Sequence, residues 1–296
     1  MELKLVPVTD GLFQVVGRHQ GRFPSSHSFL VLDDLTALID TGCGLELLER
    51  IREVYRLDLI INSHGHPDHS SGNWLFPDVP LHAPMEGADS HGMLVPLSHR
   101  LAENGPLAER WRQWVGDTMG FRDRAPTAFY EHGHVFDFGN LKLQAIHTPG
   151  HTRDHYCFFE PERKILLSSD IDVTPFGPWY GHRESSLADF RKSIDLVRAL
   201  EPKILASSHL DVLEDGIDEA LDRYARVFDQ RNGAILNLLN GSVSLTELVD
   251  AAPIYGRHPY APELLRYWEG LMIELHLEEL AERGLVTRVG ESFRRS

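Results

Sequence analysis

The sequence predicts an α/β fold, and three observations predict it. Apolar runs of strand length alternate with a helical run over the first 85 residues. Four residues of metal-ligand type, His64, His151, Asp170 and His209, each fall just beyond the C-terminal end of an expected strand. That is the edge where open α/β sheets usually place their sites. One such loop, His64-Gly65-His66-Pro67-Asp68-His69, carries three imidazoles and a carboxylate within six residues.

The elements follow in order. Residues 12–16, 28–32 and 36–40 alternate or run apolar and read as strands, with Asp33-Asp34 turning between the last two. Asp40 ends the third; it suits either a turn or a carboxylate that orients a ligand histidine. Leu45, Leu48, Ile51 and Val54 recur at helical spacing. Leu57-Asp58-Leu59-Ile60-Ile61 is a buried strand leading into the histidine loop, and residues 79–83 make another.

In an extended segment His64 and His66 point the same way, so both reach one ion. Pro67 then turns the chain, after which Asp68 and His69 could serve a second ion beside the first. Neutral imidazole with carboxylate suits zinc, and also iron or manganese. A chain with 17 histidines clusters some of them by chance. The Asp68-His69 completion and the three candidates downstream set this cluster apart.

Residues 85–130 break the rhythm. The stretch 98–118 reads as helix, interrupted at Gly105-Pro106, with Trp111 and Trp114 on one face. An insertion here would make a lid or pocket wall. Strands return as a hairpin over 134–147, followed by Thr148-Pro149-Gly150-His151-Thr152, then a second hairpin ending at Ser169-Asp170. A helix over 186–200 and a strand over 203–206 lead to His209. Residues 214–241 read as a long helix.

Beyond Gly241 the character changes. Ser244 caps a short helix rather than continuing a strand, 264–282 is a strong amphipathic helix, and 283–289 leads into a small ribbon. Residues 241–296 thus read as a winged-helix-like appendage, acidic in balance. Docking, dimer contacts or closure of the pocket suit it better than nucleic acid.

Composition bounds the function. Of the 296 residues, 42% are hydrophobic and 25% charged, as in an ordinary globular protein. Neither a basic-then-apolar leader nor an apolar run of membrane length is found, which points to a cytoplasmic protein with no membrane partner. The net charge of −15 opposes binding to nucleic acid or anionic membranes. Cys43 and Cys157 show no ligand spacing and read as buried hydrophobes.

The set His64-x-His66-x-Asp68-His69, His151, Asp170 and His209 closely resembles the metallo-β-lactamase superfamily over roughly residues 1–240. The resemblance implies an αββα sandwich with a dinuclear site between the sheets. It implies one metal on His64, His66 and His151, a second on Asp68, His69 and His209, and Asp170 bridging them. Asp40 matches the family's strand-end aspartate. Asp170 stands where many true β-lactamases carry Cys, and His66 where the flavodiiron branch has Glu. The Thr148–His155 stretch and the C-terminal segment resemble the LACTB-2-type branch of lactamase-B-like hydrolases. The basic C-terminal pattern of glyoxalase II-type thioesterases is not seen.

Five neutral imidazoles and two carboxylates would leave two divalent ions with a net charge of about +2. Metal coordination lowers the pKa of water from about 15.7 to about 7. The expected activity is attack of a metal-bridging hydroxide on a small ester, thioester or lactone. A phosphodiesterase or endoribonuclease of the same fold is the alternative; a non-enzymatic winged-helix nucleic-acid binder is another. Asp68 and Asp170 are expected to be catalytic as well as ligating. Tyr180 or His182, in a Gly/Pro/aromatic loop, would donate to the developing oxyanion, with Arg183 holding an anionic group. Asp172 would line the pocket, and His155 would orient a ligand or meet substrate.

Overall fold

The computed structural model describes residues 2–296. Its first sheet has seven strands in sequence order: β1 (Leu5–Thr9), β2 (Leu12–Val15), β3 (Ser28–Leu32), β4 (Thr36–Ile39), β5 (Leu59–Ile61), β6 (Leu81–Pro84) and β7 (Ala128–Tyr130). The β1–β4 pairings are antiparallel and those from β4 to β7 parallel. Helix α1 (Leu45–Val54) links β4 to β5, and the one-turn α2 (Pro67–Ser70) follows β5. Helices α3 (Leu94–Ala102) and α4 (Pro106–Met119) separate β6 from β7.

The second sheet has five strands in the order β12-β11-β10-β9-β8. These are β8 (Val135–Asp137), β9 (Lys142–His147), β10 (Tyr156–Glu160), β11 (Ile165–Ser169) and β12 (Ile204–Ser207), with α5 (Leu187–Ala199) crossing from β11 to the parallel β12. Beyond it run α6 (Ile217–Leu238), β13 (Val243–Ser244), α7 (Leu245–Ala251), α8 (Pro262–Glu282), β14 (Val286–Val289) and β15 (Ser292–Arg295).

Side-chain alternation builds the layers. In β3, Phe29 and Val31 enter the core between the sheets, whereas Leu30 faces α1 with Leu47, Leu48 and Ile51. In β10, Tyr156 and Phe158 enter the same inter-sheet core. Cys157 and Phe159 face the helical layer of Phe190, Ile194, Leu221 and Phe228. The result is helix, sheet, sheet, helix, as expected. Both cysteines are buried and unpaired.

Several elements differ from the sequence reading. β1 is not among the expected strands; its burial is partial and Pro7 interrupts its apolar pattern. The stretch 85–130 is not wholly an insertion, since β7 closes it and extends the first sheet through His82–Ala128 pairing. The helical part begins at Leu94 and breaks at Glu103, where φ is 58°. Residues 243–244 are a strand as well as a cap: Val243 pairs with Phe293, and Ser244 forms a capping box with Glu247.

The C-terminal elements form a helix-and-ribbon unit whose sheet runs β13-β15-β14. Its long helix α8 reaches back, so Leu264, Leu265 and Trp268 join Leu101 and Trp111 of α3 and α4 in one apolar cluster. Among the described residues, no helix is long and apolar enough to cross a membrane.

Candidate metal centre

The ends of β5, β11 and β12 and the loop after β9 converge at one edge of the sandwich. His64, His66, His151 and Asp170 offer ligand atoms all within 4.8 Å of one another, and Asp68, His69 and His209 form a second such group. Asp170 turns one oxygen to each. Its Oδ1 lies 3.0 Å from His69 Nε2 and 3.4 Å from His209 Nε2. Its Oδ2 lies 3.2 Å from His151 Nε2 and 3.9 Å from His64 Nε2. Donors around a tetrahedral ion with bonds of about 2.0–2.1 Å stand about 3.3 Å apart, so both groups suit a divalent ion.

The polar accounting agrees. The Nε2 atoms of His64 and His69 and Oδ1 of Asp170 are buried without a hydrogen-bond partner, a costly condition unless a cation answers them. Burial, reinforced by neighbouring imidazoles, holds His64 and His66 well below the ordinary histidine range. Burial would lower His69 and His209 too, but Asp170 and Asp68 override it, raising His69 well above that range and His209 to about 9. His69, His209 and His151 in turn overcome the effect of burial on Asp170 and hold its carboxyl well below the usual carboxylate range. The carboxylates draw positive charge to this spot.

The nitrogens facing away from the groups are tied down. His69 Nδ1 donates to Asp40 Oδ2 at 2.8 Å, and His209 Nδ1 donates to the Gly21 carbonyl at 2.6 Å. His151 Nδ1 donates to the Trp179 carbonyl at 2.8 Å. Ser63 Oγ donates to Asp40 Oδ2 at 2.7 Å, so it accepts from His64 Nδ1 at 3.0 Å. In all four the tied Nδ1 leaves Nε2 turned towards the Asp170 carboxylate. His66 is reversed: its Nδ1 lies 2.9 Å from His151 Nε2, and its Nε2 lies 2.6 Å from His182 Nε2.

Close backbone approach fixes the loops. A Cβ on Gly42 would lie 1.4 Å from the Asp68 carbonyl oxygen. Gly150, at φ 131°, would collide with the Phe190 backbone, so both positions require glycine.

Two expectations about the Gly/Pro/aromatic loop are corrected. The Tyr180 hydroxyl is fully buried and meets His276 Nε2 at 2.7 Å and Arg231 Nη1 at 2.8 Å, so it faces the C-terminal helices and not the metal groups. His182 is buried behind His66, and its Nε2 is already engaged there. That nitrogen therefore faces His66 and not the cavity. Arg183 is exposed and pairs with Glu103, whereas Asp172 does line the cavity beside the groups.

Further residues position these groups. His155 Nδ1 donates to the Thr148 carbonyl, and its Nε2 accepts the Asp170 amide at 3.0 Å. Asp154 accepts the Gly65 amide at 3.1 Å and pairs with Arg100 at 2.6 Å. Arg231 clamps the loop carrying Trp179 through the carbonyls of Phe176 and Pro178. Sequence reasoning missed Asp154, Arg100 and Arg231. Asp154 lies within the readable Thr148–His155 stretch but received no role there, and the carbonyls of Trp179 and Gly21 carry no side-chain signature.

A cavity of about 530 Å³ opens against His66, Asp68, His151, Asp170 and His209. Its other walls come mostly from apolar and aromatic residues, and among the described residues Arg22 is its one lysine or arginine.

Sheet order and donor set together define a metallohydrolase scaffold. The family model described as the metallo-beta-lactamase superfamily matches residues 21–209, and the chain belongs to that superfamily. It is 27% identical over 177 residues to the acyl-coenzyme A thioesterase MBLAC2 of Homo sapiens, covering 55% of this chain and 63% of that protein, less than two thirds of its length. It is 23% identical over 270 residues to the atrochrysone carboxyl ACP thioesterase of Passalora fulva, covering 84% and 69%. Among solved structures, the metallo-beta-lactamase family protein TTHA1429 of Thermus thermophilus superposes with a TM-score of 0.74 at 22% identity. That match covers 98% of this chain and 100% of the other.

Proposed function

We propose that the protein is a dinuclear metal-dependent thioesterase. One observation carries the reading: Asp170 presents one carboxylate oxygen to each of two histidine groups. His64, His66 and His151 would hold one ion, Asp68, His69 and His209 the other, and Asp170 would join both. Zinc suits these donors, and iron and manganese also do. Divalent ions so held lower the pKa of water into the neutral range and polarise a carbonyl.

The chain's own residues supply the rest. The tied Nδ1 atoms aim four imidazoles, and His182 packs against His66 at 2.6 Å. Asp68 lines the cavity, and its carboxylate would carry a proton from the attacking water to the departing thiolate. The cavity walls are mostly apolar. A carbon acyl group suits them, whereas a phosphodiester strand needs cationic partners, and among the described residues the cavity offers only Arg22. The thioesterase names of the two relatives support the choice of leaving group.

Elemental analysis of the purified protein, with thiol release from acyl-coenzyme A, tests the proposal. Two equivalents of metal and turnover lost in His66→Ala support it. Hydrolysis of bis-p-nitrophenyl phosphate with no thioester cleavage overturns it in favour of the phosphodiesterase alternative.

A further inference from the structure

The cavity beside the metal groups has walls that the sandwich itself does not make. Trp111 and Trp114 come from α4, Leu265 and Trp268 from α8, Trp179 from the loop after β11, and Phe23 from the loop before β3. Two of the indoles cannot serve polar groups. Trp268 Nε1 donates to the Leu101 carbonyl at 2.7 Å, and Trp179 Nε1 donates to the Tyr255 hydroxyl at 2.7 Å. Only their rings are left for a ligand.

The rings already pair as aromatic groups prefer. Trp179 meets Trp268 edge-on at 5.8 Å, and Phe23 stacks on Trp114 at 5.7 Å. Trp179 also stands 5.4 Å from His66. The aromatic wall therefore begins where a scissile carbonyl would sit. A volume of about 530 Å³ far exceeds what an acetyl group fills. A planar ring system loses less conformational freedom on entering such a box than a flexible chain of equal area.

From these walls we propose that the acyl group accepted is bulky and aromatic, and that Trp114 and Leu265 set this preference. The inference rests on the hydrolase reading above for its chemistry, but not for its binding. With the acyl ring in the box, its carbonyl carbon faces Asp68 and Asp170. Hydrolysis would add water across the carbon–sulfur bond, giving an aromatic carboxylate, a thiol and one released proton.

The test uses the full-length metal-loaded protein. Binding of naphthoate, hexanoate and acetate is followed by tryptophan fluorescence, alongside hydrolysis of naphthoyl-, hexanoyl- and acetyl-coenzyme A. Naphthoate should bind at least about tenfold tighter than hexanoate, and Trp114→Ala should remove about tenfold of that affinity. Leu265→Phe should exclude naphthoate and spare acetate. Thermal melts and metal content confirm that each variant is folded and loaded. Equal binding of naphthoate and hexanoate overturns the inference, as does a folded Trp114→Ala that binds naphthoate unchanged. Naphthoate preference without cleavage of any thioester upholds the aromatic site and refutes the thioesterase reading alone.

Discussion

His151 Nδ1 donates to the carbonyl of Trp179 across 2.8 Å, and Arg231 holds that carbonyl's loop. The Arg231 side chain is buried against Phe176 and Tyr180. It bonds the Phe176 carbonyl at 2.7 Å, the Pro178 carbonyl at 2.5 Å and the Tyr180 hydroxyl at 2.8 Å. The His151 imidazole is thus aimed through a loop that a guanidinium on α6 holds.

Arg231→Met should leave those acceptors unpaired, costing about 1–3 kcal/mol for each one left buried. Once the loop relaxes, metal affinity should also fall about ten- to a hundredfold. Isothermal titration of metal into the stripped variant checks this. Unchanged affinity would mean the clamp serves stability alone.

Asp40 is the corresponding device for His69 and His64. It receives the Ser63 amide at 2.8 Å, Ser63 Oγ at 2.7 Å and His69 Nδ1 at 2.8 Å. Its φ of 59° is a conformation asparagine also tolerates. Asp40→Asn should therefore keep the backbone while setting an amide donor against one of three donors. Metal affinity at the Asp68–His69–His209 group should fall about ten- to a hundredfold, read as one lost equivalent in a competitive chelator titration.

Asp154 gives the fold an acid limit. Arg100 and the groups around it outweigh burial and hold its carboxyl well below the usual range. A depressed carboxyl contributes stability in full above its unfolded value near 4 and loses it as pH falls towards the folded value. The melting temperature should drop below pH 4. Asp154→Asn should cost about 3–5 kcal/mol at neutral pH and flatten that acid limb. Parallel melts of both proteins from pH 7 to pH 3 would show it.

Chelation should abolish hydrolysis and lower the melting temperature, because metal binds only the folded arrangement. Restoring zinc, iron(II) or manganese(II) separately, with activity and stoichiometry measured for each, identifies the productive ion. Recovery with one equivalent would contradict the dinuclear arrangement.

The candidate donors were legible because His64, His151, Asp170 and His209 each follow a strand, where chemistry and chain direction coincide. His64 and His66 lie in the loop that follows β5, close together in sequence, and Gly150-His151 forms a compact motif. The layers were legible from period-2 strands such as Ser28–Leu32. Tyr180 misled because a polar residue in an aromatic loop looks free until α6 and α8 are placed around it. His182 misled because only the fold shows its Nε2 already spent on His66. The cavity walls were illegible as a set, since Phe23, Trp114, Trp179 and Trp268 span most of the chain.

Helix α8 has a consequence for how the molecule could diversify. The groups that would break the bond sit at sheet ends within the first 209 residues, whereas Leu265 and Trp268 arrive from the far end of the chain. If the cavity sets the cargo, the part of that choice made by α8 is thus encoded apart from the cutting machinery. Substitution along one face of a single helix could retune the cargo while the cutting groups stay in place.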